Sequence, residues 1–154
     1  MNTPNNKRYR EIEESINAAF VSLLQDKGLR EITVTNICEL IGIERSTFYA
    51  HYNDVADLAN ACAAQIEKQV SEQSHIDGDF SWLFEYIKEH HDLFNIYFKL
   101  GVSRIKNDYK MIFFRTGAYS VAKMWFEDGC IEPPEQMGEI LKREYTKLIV
   151  TGKE

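Results

Sequence analysis

The segment from Thr33 to Tyr52, with the sequence TVTNICELIGIERSTFYAHY, constrains the fold of this chain more than any other stretch. Thr33 is a good helix N-cap, because its hydroxyl can accept a hydrogen bond from an unpaired amide of the first turn. Gly42 favours the end of that helix, since glycine readily takes the left-handed conformation found there. Between them, four apolar residues recur at helical spacing and are predicted to face a core. They are Val34, Ile37, Leu40 and Ile41.

A second short helix is predicted directly after this turn. Glu44 would begin it, because a carboxylate is favourable at the positive end of the helix dipole. Phe48 and Tyr52 lie four residues apart and would anchor one face. The other faces carry small, hydroxylated or cationic side chains, namely Arg45, Ser46, Thr47, Tyr49 and His51. Such side chains hydrogen-bond phosphates and base edges, and a short exposed helix fits the major groove of DNA.

A longer run around this segment, ITVTNICELIGIERSTFYAHYNDVADL, resembles the DNA-binding region of the TetR family of transcriptional regulators. The similarity covers roughly the first third of the chain, and beyond it only the all-helical layout is similar. The features that match are Gly42-Ile43, Thr47-Phe48-Tyr49, Tyr52 and a helix after Asn53. The family usually has a phosphate-binding lysine just after the recognition helix, where this chain has Val55, and an alanine where it has Ile41.

The resemblance implies a helix-turn-helix DNA-binding domain at 1–53 and a helical ligand-binding and dimerisation domain at 54–154. Roles within the first domain follow from the reach of each side chain. The hydroxyls of three residues are expected to donate to phosphates, and three other side chains are expected to read bases, with Arg45 favouring guanine. The predicted phosphate contacts are Thr35, Thr47 and Tyr49, and the predicted base contacts are Arg45, Ser46 and His51.

Composition bounds the class of protein. The chain has 154 residues, 44% of them hydrophobic, and a net charge of −6, which argues against a protein that coats nucleic acid generally. A basic cluster before the first helix, Lys7, Arg8 and Arg10, is the local exception. The chain begins without an apolar signal core and has no apolar run of membrane-spanning length. The three scattered cysteines form no zinc spacing and indicate reduced thiols, so a cytoplasmic location is predicted.

The rest of the chain also follows helical spacing, without strand alternation or repeats. We therefore predict an all-α fold of about eight or nine helices. Besides the two short ones, the predicted helices cover about 9–27, 54–73, 80–90, 92–100 and 108–127, with a last helix beginning near Pro134. Aromatic residues are dense in the second half; they indicate a core, or the effector pocket that the family resemblance implies, with its lining unassigned.

The last two helices have broad apolar faces that would pack within one chain or against a second copy, as in the family. Palindromic operator half-sites need a two-fold protein, which favours a homodimer. The predicted interface consists of Gly117, Val121, Trp125, Ile140, Leu141 and Leu148.

No catalytic or metal site is predicted. The adjacent His90 and His91 would point to different faces of a helix, so chelation by the pair is not expected. No Ser-His-Asp, paired-acid or phosphate-loop arrangement occurs, and neither enzymatic activity nor a cofactor is predicted. The sequence thus predicts an effector-responsive repressor that binds double-stranded operator DNA as a dimer. The alternative is an adaptor or co-activator that has lost DNA binding and acts through protein contacts; Val55 and the acidic balance are its support.

Overall fold

A computed structural model of the protein describes residues 7–73, 80–101 and 109–150, with side chains described outside 109–115 and 148–150. Within these ranges all regular structure is helical, which confirms the all-α prediction and the expected number of helices. The helices are α1 (Lys7–Asp26), α2 (Val34–Ile41), α3 (Arg45–Tyr49), α4 (Val55–Glu72), α5 (Ser81–Glu89), α6 (His91–Leu100), α7 (Tyr109–Glu127) and α8 (Pro134–Val150), with a 3₁₀ turn at Leu29–Glu31.

The chain forms two compact units. The first unit comprises Met1–Gln65 and Lys99–Gly101, and the second unit comprises Ile66–Phe98 and Val102–Glu154. The division lies inside α4 and not at the boundary after residue 53 that was predicted from the sequence. The reason is that the first half of α4 packs in the first unit, where Leu58, Ala59, Cys62 and Ala63 are buried.

The short segment Lys99–Gly101 belongs to the first unit, and the ammonium group of Lys99 contacts the end of α1. Its Nζ donates to the carbonyl oxygen of Leu24 at 2.9 Å and to that of Gln25 at 3.0 Å. Both carbonyls lie at the end of α1, where helix carbonyls have no intrahelical partner and a positive charge is favourable. Lys99 therefore caps α1 from a distant part of the sequence.

The core of the first unit brings α1, α2, α3 and α4 together. Its largest fully buried side chains are Ile16, Phe20, Leu24, Ile37, Phe48 and Leu58. The prediction that Leu40 faces this core is wrong, because Leu40 is 54% exposed. On an α-helix the burial of both Ile37 and Cys38 turns position 40 outward.

The second unit has an aromatic core. The rings of Phe84 and Trp125 meet edge to face with centroids 5.1 Å apart. The indole nitrogen of Trp125 donates to the carbonyl oxygen of Glu132 at 3.0 Å, so the polar atom of this buried side chain is satisfied within the chain. Helices α5 and α8 pack closely, because Gly138 has no side chain to hold them apart; a Cβ atom there would lie 2.5 Å from the backbone nitrogen of Ser81.

Among the helices that the structure describes, none has the length and apolar character needed to cross a lipid bilayer.

Candidate nucleic-acid interface

The site is built on α2 and α3, and the start of α2 is fixed by local hydrogen bonds. Thr33 Oγ1 accepts from the backbone nitrogen of Asn36 at 3.2 Å, and Asn36 Oδ1 accepts from the backbone nitrogen of Thr33 at 3.1 Å. This reciprocal pair satisfies two donors that the first turn leaves open. The predicted N-cap at Thr33 is thereby confirmed. Thr35, predicted to contact phosphate, is exposed in the first turn of this helix.

The turn between the two helices depends on Gly42. Its φ of +69° and ψ of +37° place it in the left-handed region, which glycine adopts without the steric cost that a side chain would bring. The backbone nitrogen of Ile43 then donates to the carbonyl oxygen of Cys38 at 3.1 Å and closes the end of α2. The chain is redirected within a few residues, and α3 follows after its N-cap, Glu44.

One face of α3 is anchored in the first unit. Phe48 is fully buried, and Tyr52, just past the helix, is nearly so. The hydroxyl of Tyr52 donates to Asn17 Oδ1 of α1 at 3.1 Å, and the thiol of Cys62 on α4 donates to the same oxygen at 3.7 Å. Burial raises the pKa of Tyr52 to about 12 and that of Cys62 to about 11, so both stay neutral donors. The burial of Phe48 and the hydrogen bond of Tyr52 to Asn17 thus anchor this end of α3 in the first unit, in agreement with the predicted structural role of the two residues.

The other faces of α3 are largely open to solvent. Arg45 and Ser46 are exposed, Thr47 is half-buried, and Tyr49 is 48% exposed despite its size. Arg45 Nη2 donates to the hydroxyl oxygen of Tyr49 at 3.2 Å, and the guanidinium carbon lies 6.0 Å from the centre of the Tyr49 ring. The hydrogen bond to Tyr49 raises the pKa of Arg45, which remains a cation. Four predicted DNA contacts are therefore together on one short helix, with a cation and a hydroxyl already paired.

His51 does not belong to this open face, contrary to its predicted role as a base reader. Both ring nitrogens are buried and have no hydrogen-bond partner among the described residues. The ring stacks on Tyr9 with centroids 3.9 Å apart and an interplanar angle of 29°. Burial lowers the pKa of His51, and the charge of Glu13 opposes that effect only partly. A neutral imidazole with enclosed nitrogens cannot read a base edge, so His51 supports the fold of the site instead.

Tyr9 is a part of the site that the sequence analysis missed. Its hydroxyl donates at 3.3 Å to the carbonyl oxygen of Ala50, the C-cap of α3. The two residues are separated by 41 positions, and no spacing rule within α1 predicts the contact. Because Tyr9 lies between Arg8 and Arg10, it also brings the basic start of α1 to the end of α3. One cation of that cluster, Lys7, forms a surface ion pair with Glu11 at 3.7 Å.

The start of α4 differs in charge from what the family resemblance implies. Val55 is half-buried in its first turn. Asp54 Oδ1 accepts from the backbone nitrogen of Asp57 at 2.7 Å, and Asp57 Oδ2 accepts from that of Asn53 at 3.0 Å. These carboxylates occupy donors that could otherwise bind a phosphate. The N-terminus of α4 is therefore acidic and capped by its own side chains.

The residues predicted for a dimer interface fall into three groups in the second unit. Trp125 and Leu141 are only 2% and 4% exposed, because they pack in the aromatic core, and they offer almost no surface to a partner. Gly117 is exposed, and Val121 and Ile140 are half-buried. The side chain of Leu148 lies outside the described residues. Met124, which the sequence analysis left out, is 64% exposed and follows Gly117 and Val121 on the same side of α7.

No protein-family model matches the chain, and no curated protein matches it.

Among the described residues, no group of three or more His, Cys, Asp or Glu side chains is placed to hold a metal ion.

Proposed function

We propose that this protein is a sequence-specific DNA-binding transcriptional regulator of the TetR type. The observation that carries the proposal is the two-sided character of α3. One face is fixed by the fully buried Phe48, and the other presents the paired side chains of Arg45 and Tyr49 to solvent. The exposed cation and hydroxyl are groups that can hydrogen-bond base edges and phosphates. A short helix with this surface suits insertion into a major groove.

Contacts around α3 also support DNA as the partner. Thr35 and Ser46 are exposed hydroxyl groups on the two helices of the motif and suit phosphate or base contacts. The hydrogen bond from Tyr9 to Ala50 joins α3 to the helix that begins with the basic cluster. Cations at that position would add sequence-independent attraction to the backbone. The net charge of −6 makes such local placement necessary, because the protein as a whole repels DNA.

The finer parts of the proposal are a homodimer, a palindromic operator and a small-molecule effector that relieves repression. The stripe on α7 formed by the exposed Gly117 and Met124 with the half-buried Val121 is the surface we assign to the second copy. A two-fold dimer presents two copies of α3 to two half-sites, which is the physical reason for a palindrome. A regulator of this kind works beside the chromosome, in the cytoplasm, where its unpaired thiols stay reduced.

Selection of bound sequences from a random pool of duplex DNA tests the proposal. Wild-type protein should enrich one motif with two-fold symmetry, and its affinity for that motif should fall as salt rises. Arg45→Ala should weaken binding to the motif, whereas Arg30→Ala, an exposed arginine in the 3₁₀ turn, should leave it unchanged. Absence of any enriched motif at low salt would refute sequence-specific binding.

The second candidate is a regulator-like adaptor that acts through protein contacts. The acidic, self-capped start of α4 favours it, because Asp54 and Asp57 flank Val55, the position where a phosphate-binding lysine is usual in the family. Val55→Lys separates the two candidates. If α4 approaches DNA, the added cation should tighten binding and steepen the salt dependence by about one unit of slope. If wild type and variant both fail to bind DNA, the adaptor is the better description.

A further inference from the structure

We infer that Arg45 and Tyr49 act on DNA as a single unit, in which Tyr49 is the positioning residue that determines the base preference of Arg45. This inference rests on the proposed function and refines it. Separate roles, with Tyr49 on a phosphate and Arg45 on a base, would make the two contributions independent. The geometry points to coupled contributions.

The first step is the bond between the two side chains. They are four residues apart on α3, and Arg45 Nη2 lies 3.2 Å from the hydroxyl oxygen of Tyr49. Among the described residues, neither side chain has any other hydrogen bond or ion pair. The guanidinium of Arg45 therefore has one fixed point, and that point is the Tyr49 hydroxyl.

The second step is what fixes Tyr49 itself. Its ring meets the ring of Phe48 edge to face, with centroids 5.7 Å apart and an interplanar angle of 87°. Phe48 is fully buried and cannot move without disturbing the core of the first unit. The buried ring of Phe48 thus restrains the exposed ring of Tyr49, and the Tyr49 hydroxyl in turn restrains the guanidinium of Arg45.

The third step is the donor and acceptor balance. A tyrosine hydroxyl has one hydrogen to donate and lone pairs to accept with. In this pair it accepts from Arg45, so its own hydrogen stays available for a phosphate oxygen. A hydroxyl that accepts from a cation becomes a stronger donor, because hydrogen bonds in a chain polarise one another. The guanidinium has five N–H donors, so enough remain for a two-pronged contact with guanine.

The fourth step is entropy. A free arginine on a surface samples many rotamers, and ordering it on DNA costs free energy. An arginine that is already held by Tyr49 loses less on binding, and it cannot swing freely to the nearest phosphate. Because its rotamers are restricted, Arg45 contributes less to general attraction to phosphates and more to a preference for one base. Removal of the Tyr49 hydroxyl should therefore damage discrimination as well as affinity.

The experiment is a double-mutant cycle on two DNA duplexes. One duplex carries the motif selected by wild type, and the other differs at the base pair whose preference is lost in a selection with Arg45→Ala. Wild type, Arg45→Ala, Tyr49→Phe and the double variant are each titrated on both duplexes. Tyr49→Phe keeps the ring and its contact with Phe48, and it removes only the hydroxyl.

Discrimination is the ratio of the affinities for the two duplexes. We expect Tyr49→Phe to lower this ratio by at least about threefold. Once Arg45 is replaced by alanine, loss of the Tyr49 hydroxyl should lower the ratio no further, so the double variant should discriminate no less than Arg45→Ala alone. Tyr119→Phe is the matched control, since it removes a hydroxyl whose hydrogen bond, to the carbonyl oxygen of Phe98 at 3.0 Å, lies in the second unit. That control should keep both affinity and discrimination.

Two results would overturn the inference. One is a Tyr49→Phe variant that binds both duplexes more weakly by the same factor, with effects that add to those of Arg45→Ala; Tyr49 would then be a phosphate contact alone. The other is a selection in which Arg45→Ala changes no base preference. Failure of the proposed function looks different, because wild type would then select no motif at all. Circular dichroism confirms that each variant is folded.

Discussion

The imidazole of His51 stacks on the phenol ring of Tyr9, and its two nitrogens are enclosed without a hydrogen-bond partner among the described residues. The stack joins the first turns of α1 to the residues that follow α3. Burial lowers the pKa of His51, because charging the ring in this position adds a desolvation cost, so the neutral imidazole is favoured. The protonation state of one side chain is therefore linked to the stability of the candidate site.

Acidification should destabilise the protein through His51. Burial lowers the pKa of His51 below 6.5 in the folded chain, so the unfolded chain binds the proton more readily. The neutral state contributes fully above pH 6.5, and the contribution is lost as the pH falls below that value. His51→Phe keeps an aromatic partner for Tyr9 and cannot titrate. Urea unfolding measured from above pH 6.5 to below it should show that the free energy of unfolding falls more steeply with decreasing pH for wild type than for the variant. The same pH dependence in both proteins would refute this role of His51.

Asn17→Ala should destabilise the protein by about 1–3 kcal/mol, because the buried hydroxyl of Tyr52 loses its acceptor. The thiol of Cys62 loses the same acceptor at little cost, since a thiol is a weak donor. Denaturant unfolding measures the change. Tyr52→Phe added to Asn17→Ala is the control, since it removes the unpaired hydroxyl and should make the loss smaller than for Asn17→Ala alone. If the single variant is as stable as wild type, the hydrogen bond does not support the site.

The same substitution at two helical glycines should have opposite effects. Gly138→Ala would place a Cβ atom 2.5 Å from the nitrogen and the Oγ of Ser81, so α5 and α8 must move apart, at a cost of about 1–3 kcal/mol. Gly117→Ala meets no described atom within 4 Å and should stabilise α7 by up to about 1 kcal/mol, because alanine favours the helix. Thermal unfolding of both variants checks the pair. Equal shifts in melting temperature for the two variants would mean that α5 and α8 do not approach as closely as described.

Gly117→Glu tests the proposed dimer. The position is exposed, so the carboxylate has room within one chain and should leave the fold intact. Burial of that charge against a second copy would be costly, and we expect a helical monomer that no longer binds a palindromic site. Thr116→Glu, at an exposed neighbouring position on another face of α7, should remain dimeric. Sedimentation velocity distinguishes the states. A Gly117→Glu dimer that still binds DNA would place the interface elsewhere.

Local chemistry explains what was predictable from the sequence. Thr33 and Gly42 were assigned correctly because a cap and a left-handed turn depend on the residue itself and on its near neighbours. Phe48 and Tyr52 were correctly assigned to the core for a similar reason, since two aromatic residues spaced four apart define one side of a short helix. The all-α fold likewise follows from periodicity that any one helix carries alone.

Contacts between distant segments explain the errors. The polarity of His51 suggests exposure, but Tyr9, far earlier in the chain, covers its ring. Trp125 lies on a broad apolar face that would suit a partner chain, yet Phe84 and Glu132 of the same chain occupy it. Leu40 is periodic with its neighbours, but the rotation of an eight-residue helix depends on what it packs against. None of these outcomes is encoded in local spacing.

The cap that Lys99 supplies to α1 determines how late in synthesis the first unit can be completed. A ribosome completes α1, α2 and α3 well before it reaches position 99, so during synthesis the carbonyls of Leu24 and Gln25 are at first without their Lys99 partner. The first unit becomes complete only after Lys99–Gly101 has emerged. A fragment that stopped at Gln65 would lack this cap, so the end of α1 is completed only once most of the chain has been synthesised.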